Sequence, residues 1–287
     1  MSSLKASDIF DLSDRVALVT GGGKGIGAAI VRALLENGVV RVYITGRRLD
    51  RLQATAEELS KLGRGRVIAF QNDISSRNGV ESLVNYIKEN EESLDILINN
   101  AGVMKEGKES QIPDLLEGAS LADQISHKYY YNSWDDWSEQ YTINVTGAYY
   151  LTMGLLPLLS KAAAKGDGRG SVINIASIAG MQITANNAAP YQASKAASLI
   201  MSKVLANRVE GSNVRVNIIS PGLHKSDLSD DLFRKNPGLE KTIPLGFVAE
   251  TEDIAGLILF LSSKAGRYVH GANHVTDGGR LLKIPKV

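Results

Sequence analysis

The sequence predicts an α/β protein: a single doubly wound parallel sheet with helices on both faces, covering residues 1–287 as one domain. Three observations carry this. Short β-branched apolar runs alternate with stretches of helical periodicity, the rhythm of parallel strands joined by crossover helices. A glycine-rich turn separates the first apolar run from the first helical stretch. No internal repeat and no linker-like segment divides the chain.

Arg15–Thr20 (RVALVT) reads as a buried first strand, and Ile26–Asn37 as a helix closed by Gly38, a residue suited to the left-handed position after a helix. Val39–Thr45 is the second strand, followed by a helix through Glu58. Arg66–Gln71 is the third strand and Arg77–Asn90 a helix; Asp95–Asn99 is the fourth strand. Lys105–Asn132 breaks the rhythm. It is polar, has few periodic apolar positions and ends in the run Tyr129–Tyr131, so we read residues 105–132 as an insertion and expect it to act as a lid. Ser133 with Asp136 resembles a capping box. Trp134, Trp137, Tyr141, Val145 and Tyr149 then recur at helical intervals, predicting a long amphipathic helix whose tryptophans serve as core or interface aromatics. Ser171–Ile175 is the fifth strand, Ser194–Val209 a helix, Val214–Ile219 the sixth strand, Glu252–Ser262 a helix and His274–Asp277 a last strand.

Composition narrows the function classes. Hydrophobic residues at 44% and charged residues at 22% are ordinary for a globular protein, and a formal charge of +1 offers no electrostatic reason to bind nucleic acid or an anionic membrane. With no cysteine there is no disulfide, thiolate metal site or cysteine nucleophile. His127, His224, His270 and His274 lack zinc spacing, and Gly271 interrupts the last pair, so no metal is expected. The opening MSSLKASDIFDLSDR has no apolar signal core, and no run reaches the ~18 apolar residues of a spanning helix. We expect a cytoplasmic protein.

The turn Gly21-Gly22-Gly23-Lys24-Gly25-Ile26-Gly27 brings backbone N–H groups and a helix N-terminus to one point, as a dinucleotide pyrophosphate requires. Its place between strand and helix favours a Rossmann-type site over a plain turn. An NAD site wants a carboxylate at the end of the second strand. Here Gly46 stands there, followed by Arg47 and Arg48. Guanidinium groups suit a 2′-phosphate, and Lys24 adds a cation from the glycine turn. The cofactor expected is therefore NADP(H), although the same charges on a solvated surface would carry no such meaning.

On these and further motifs the chain resembles the short-chain dehydrogenase/reductase family, in its classical branch, from Arg15 to Gly279. TGGGKGIG matches the family's TGxxxGxG. Asn72-Asp73-Ile74 falls where the family places an Asp that meets the adenine, with Ile74 as the neighbouring backbone contact. Asn99-Asn100-Ala101-Gly102 is its NNAG, and Tyr191 with Lys195 forms its YxxxK. Asn144 and Ser177 fall at its catalytic asparagine and serine. Ser220-Pro221-Gly222 ends the sixth strand as in the family, where Leu223 and the residues after it meet the nicotinamide amide. Ser226 replaces the family's usual threonine and keeps the hydroxyl. An extra residue follows Gly38, Phe247 stands where many relatives carry a charge, and the insertion at 105–132 puts inference about the substrate in doubt.

The resemblance implies a carbonyl–alcohol oxidoreductase, working as a reductase, with Tyr191 as proton donor. Lys195, one helical turn on, would lower the Tyr191 pKa and hold the nicotinamide ribose. Ser177 would hold the carbonyl oxygen, and Asn144 would position a water leading from Lys195 to solvent. Val103–Lys105, the insertion, Ile178–Asn187 and Leu223–Asp227 should line the substrate pocket. We find no clear carboxylate-binding arginine among them, which leans toward a neutral carbonyl compound. Alternatives are a 3-oxoacyl thioester reductase and a catalytically silent NADP-binding sensor or scaffold. The family also implies a homodimer or homotetramer through the stretches Trp134–Leu159 and Ser194–Val209.

Overall fold

The computed structural model describes residues 3–63, 65–105, 118–130, 134–183, 189–226, 229, 233–234 and 237–283. Seven strands form one wholly parallel sheet: β1 (Val16–Thr20), β2 (Arg41–Gly46), β3 (Arg66–Gln71), β4 (Ile96–Asn99), β5 (Ser171–Ile175), β6 (Arg215–Pro221) and β7 (Asn273–Thr276). Their order is β3-β2-β1-β4-β5-β6-β7. The chain winds outward from β1 in both directions, so the connections leaving β1 and β4 diverge and open a crevice at the carboxyl ends of the strands.

The helices are α1 (Ala6–Ile9), α2 (Gly25–Glu36), α3 (Leu49–Leu59), α4 (Arg77–Asn90), α5 (Leu121–Tyr130), α6 (Trp134–Tyr141), α7 (Ala148–Ala163), α8 (Ala189–Arg208) and α9 (Ala255–Ser262). Alternation along β1 sends Ala17 and Val19 to one face of the sheet and Val16 and Leu18 to the other. The first pair packs with Ile30 and Leu34 of α2, Leu52 of α3 and Ile258 of α9. The second packs with Leu83 of α4, Leu151 and Leu155 of α7 and Leu205 of α8. Both faces are thus covered, which is why every residue of β1, β4, β5 and β6 is buried and why β1 and β4 are apolar up to their last residue.

The structure differs from expectation in several elements. The long helix is three pieces: α6, a π-helical segment Thr142–Gly147, and α7. Trp134 is 84% exposed, so it is no core residue; Gln140 is the buried residue of α6, held by the backbone of Lys105. The helix expected from Ser194 begins at Ala189, with Pro190 in its first turn, where a missing N–H costs nothing. The stretch expected as Glu252–Ser262 is a 3-10 turn, Thr251–Ile254, followed by α9. Gly38 has the expected left-handed φ of 103°. Residues 106–117 and 131–132 of the proposed insertion, and Ser133 of the expected capping box, lie outside the described residues; Leu121–Tyr130 of the insertion forms α5. Among the described residues no helix is long and apolar enough to cross a membrane.

Candidate active site

At the end of β1 the chain must reverse into α2 within a few residues. Gly21 takes φ 68° and donates from its N–H to Thr45 O at 2.7 Å. A Cβ on Gly27 would stand 2.2 Å from Gly21 O, so only glycine lets the first turn of α2 close over the loop. Thr20 and Asn100 fix this loop to β4. The Thr20 hydroxyl accepts the backbone N–H groups of Asn100 and Ala101, both at 3.0 Å. The Asn100 amide donates to Thr20 O at 2.9 Å and to Gly21 O at 3.2 Å. The result is a glycine cradle before a helix N-terminus, fitted to a pyrophosphate.

The cradle forms one end of a cleft of about 820 Å³. Of the residues expected to bind the cofactor, Gly21, Gly23, Lys24, Gly25, Ile26, Gly27, Arg47, Arg48, Asp73, Ile74, Asn100, Ala101, Gly102, Tyr191, Lys195, Pro221, Gly222, Leu223 and Ser226 all line it. Arg51, one turn into α3, joins the cations at the lip. The carboxylate missing from the end of β2 is supplied from elsewhere. Glu139 of α6 reaches Arg47 at 3.2 Å and also pairs with Lys105. It is outnumbered by cations, so the lip keeps the character a 2′-phosphate needs. Asp73 is turned partly inward, accepting the Ser75 N–H at 2.9 Å.

At the other end stand the four residues expected to react. Ser177 follows β5, accepts the Ala179 N–H at 3.1 Å, and is hydrogen-bonded to the Tyr191 side chain. Tyr191 lies in the first turn of α8, and Lys195 one turn on, with Nζ 5.8 Å from the tyrosine ring centre and donating to Ile175 O at 3.2 Å. Asn144 sits in the π-helical segment. Its Oδ1 accepts the Val103 N–H at 2.9 Å, and its Nδ2 donates to Val103 O at 3.0 Å and Ser194 Oγ at 2.9 Å. Its side chain thereby ties the chain after β4 to α8. A Cβ on Gly102 would come within 3.2 Å of Asn144 Oδ1 and 3.4 Å of Lys195 Nζ, which places the NNAG strand end against the reacting groups.

Burial pushes the Tyr191 pKa up, with the Ser177 hydroxyl pulling it partly back. The same burial lowers Lys195 to about 8. For both side chains desolvation is the largest effect, and it favours the neutral form of each. A tyrosine held protonated at neutral pH is in the right state to give a proton.

Val103, Met104, Lys105, Ile178, Ala179, Gln182, Leu223 and His224 also line the cleft; residues 184–188 and 227 of the expected lining lie outside the described residues. Sequence reasoning missed Thr20, Ser194, Arg51, Glu139 and Arg280. Thr20 and Ser194 adjoin recognised motifs and were findable from them. Glu139 and Arg280 carry no local signal: only folding brings them to the cleft. Arg280 lies outside the segments expected to line the pocket, yet lines the cleft.

Comparison with known proteins agrees with this arrangement. Residues 21–280 match a family model described as Enoyl-(Acyl carrier protein) reductase. The Short-chain dehydrogenase/reductase PhomF of Diaporthe leptostromiformis is 34% identical over 295 residues, covering 99% of this chain and 97% of that protein. The 3-oxoacyl-(acyl-carrier-protein) reductase FabG of Chlamydia pneumoniae is 34% identical over 272 residues, covering 93% and 97%. Among solved structures, the Pseudomonas aeruginosa RhlG/NADP active-site complex superposes with a TM-score of 0.77 at 33% identity, covering 94% of this chain and 98% of that one.

Proposed function

The chain belongs to the short-chain dehydrogenase/reductase family, and from that premise we propose that its cleft reduces a ketone or aldehyde to an alcohol with Tyr191 as the acid. It is an NADP(H)-dependent oxidoreductase of carbonyl and alcohol groups. The observation that carries the residue assignment is the meeting of Ser177, Tyr191 and Lys195 in the same cleft as the glycine cradle, with Asn144 buried behind them and bonded to Val103 and Ser194.

The cradle at Gly21–Gly27 holds the pyrophosphate, and Lys24, Arg47 and Arg48 receive the 2′-phosphate. NADPH, when bound, supplies the hydride. The substrate oxygen takes hydrogen bonds from Ser177 Oγ and Tyr191 Oη, which share the charge that develops on it. Tyr191 Oη then passes its proton to that oxygen. Lys195, still cationic at neutral pH, stabilises the tyrosinate left behind. Asn144 is a positioning residue: it ties Val103 to Ser194 and so fixes the strand end against α8.

A 3-oxoacyl thioester is a second substrate class, favoured by the resemblance to the FabG reductase. The silent-sensor alternative has no need for all four reacting residues. We place the protein in the cytosol on its cysteine-free composition, and infer a homo-oligomer through α7 and α8, whose Tyr150, Ile200 and Val204 are exposed apolar residues.

The test is NADPH oxidation, followed by absorbance, against ketones, aldehydes, quinones and 3-oxoacyl thioesters. Turnover of one class is expected, falling by roughly 10²–10⁴-fold in Tyr191→Phe with NADPH affinity nearly unchanged. Retention of more than about a tenth of the activity would remove Tyr191 from the acid role. Tight NADPH binding with no turnover of any class would favour the sensor.

A further inference from the structure

The fold treats its inward-facing arginines in two ways. Arg15 and Arg215 are buried, and their terminal nitrogens are spent on backbone carbonyls. Arg15 donates to Ser262 O at 2.8 Å and Asp167 O at 2.7 Å, and Arg215 to Gly168 O at 2.7 Å and Leu261 O at 2.8 Å. These are structural arginines.

Arg280 is different. It lines the cleft, half-buried, yet only Nε has a protein partner, donating to Thr242 Oγ1 at 2.9 Å. Among the described residues its two terminal nitrogens meet no acceptor, and neither is sealed from the cleft. The nearby acid, Asp277, is committed elsewhere: its oxygens accept the N–H groups of Gly279 at 2.9 Å and Leu281 at 2.7 Å. These bonds and the left-handed Gly279, φ 83°, hold the base of Arg280 in a fixed turn. Asp277 in turn packs on the loop after β6, since a Cβ on Gly222 would touch it at 2.7 Å. The turn that carries Arg280 is thereby anchored to the loop after β6, and its guanidinium lines the same cleft as Gly222 and Leu223. A desolvated guanidinium with two free donors in a fork is the group that reads a planar oxyanion in bidentate fashion.

We propose that Arg280 is a specificity-determining residue that binds an anionic group on the substrate, so that the preferred carbonyl compounds carry a carboxylate. This rests on the reductase reading above and reverses the leaning toward neutral substrates. A phosphate on a carrier thioester would present the same chemistry; a carboxylate is favoured because Arg280 lines the cleft that also holds Ser177 and Tyr191.

The experiment measures ternary-complex binding, which does not depend on turnover. Protein saturated with NADP⁺ is titrated with 2-oxo-, 4-oxo- and 5-oxohexanoate, with their methyl esters, and with an acetoacetyl thioester of coenzyme A or of N-acetylcysteamine. At least one acid should bind roughly 10–100-fold more tightly than its ester. That preference should vanish in Arg280→Met and return in part in Arg280→Lys, with NADP⁺ affinity unchanged. Equal binding of every acid and ester by the native protein would overturn the proposal. So would a preference that survives Arg280→Met, or an Arg280→Met effect confined to NADP⁺. A preference shown only for the coenzyme A thioester would assign the cation to a phosphate and overturn the carboxylate. Failure of the reductase reading shows separately, as absence of NADPH oxidation with neutral and anionic carbonyls alike.

Discussion

Lys195 is a buried cation, and removing it should stabilise the protein while destroying its activity. The side chain is 5% exposed, and burial lowers its pKa from 10.5 to about 8. At about 1.36 kcal/mol per pH unit, that displacement corresponds to an order of 3 kcal/mol of lost stability whenever both states are protonated. Its hydrogen bond to Ile175 O returns about 1 kcal/mol. Lys195→Met keeps the volume, removes the charge and forfeits that bond, for a net gain on the order of 2 kcal/mol at pH 7. With 287 residues and about 2.1 cal/mol/K of unfolding entropy for each, the Tm should rise by roughly 3–4 °C.

The pH dependence has a definite sign. The folded pKa lies below the unfolded one, so between about 8 and 10.5 the unfolded chain binds more protons and native stability rises with pH. The penalty is complete below pH 8 and fades as pH climbs toward 10.5. The advantage of Lys195→Met should therefore shrink to near zero around pH 10. Scanning calorimetry of both proteins without nucleotide, at neutral and alkaline pH, measures this directly. A variant less stable than the native protein at pH 7, or a difference that ignores pH, would refute the reasoning. Carbonyl turnover by the variant should be lost at every pH.

Three further outcomes are expected. Arg47→Ala should weaken NADPH by roughly 10–100-fold and leave NADH little changed, as read by fluorescence titration; equal losses would take Arg47 off the 2′-phosphate. Gly27→Ala must move backbone, since its Cβ would lie 2.2 Å from Gly21 O, so nucleotide affinity should fall at least ~10-fold with a lower Tm; native affinity would mean the cradle is looser than its geometry. Asn144→Ala leaves the N–H and C=O of Val103 without their partner, costing about 2–5 kcal/mol of stability by denaturant titration, and a midpoint equal to the native one would show that the tether to Ser194 holds nothing.

The alternation of apolar runs with helical stretches determined the parallel sheet, because strands buried on both faces must be mainly apolar, as Val16–Thr20 is, with its single polar residue at the end. The cradle and the Tyr191–Lys195 pair were equally legible. Each depends on residues within one turn of chain, where spacing fixes geometry. What the sequence could not show depends on contacts between distant segments. Glu139 lies 92 residues from Arg47 yet pairs with it. The π-helical segment that presents Asn144 to Val103 has no periodicity of its own. Arg280 follows two glycines in an unremarkable stretch and becomes a cleft residue only when β7 docks beside β6. The sign of the Tyr191 shift was likewise decided in three dimensions. Adjacency to a lysine is a property of sequence, but the desolvation that raises the Tyr191 pKa belongs to the packed interior.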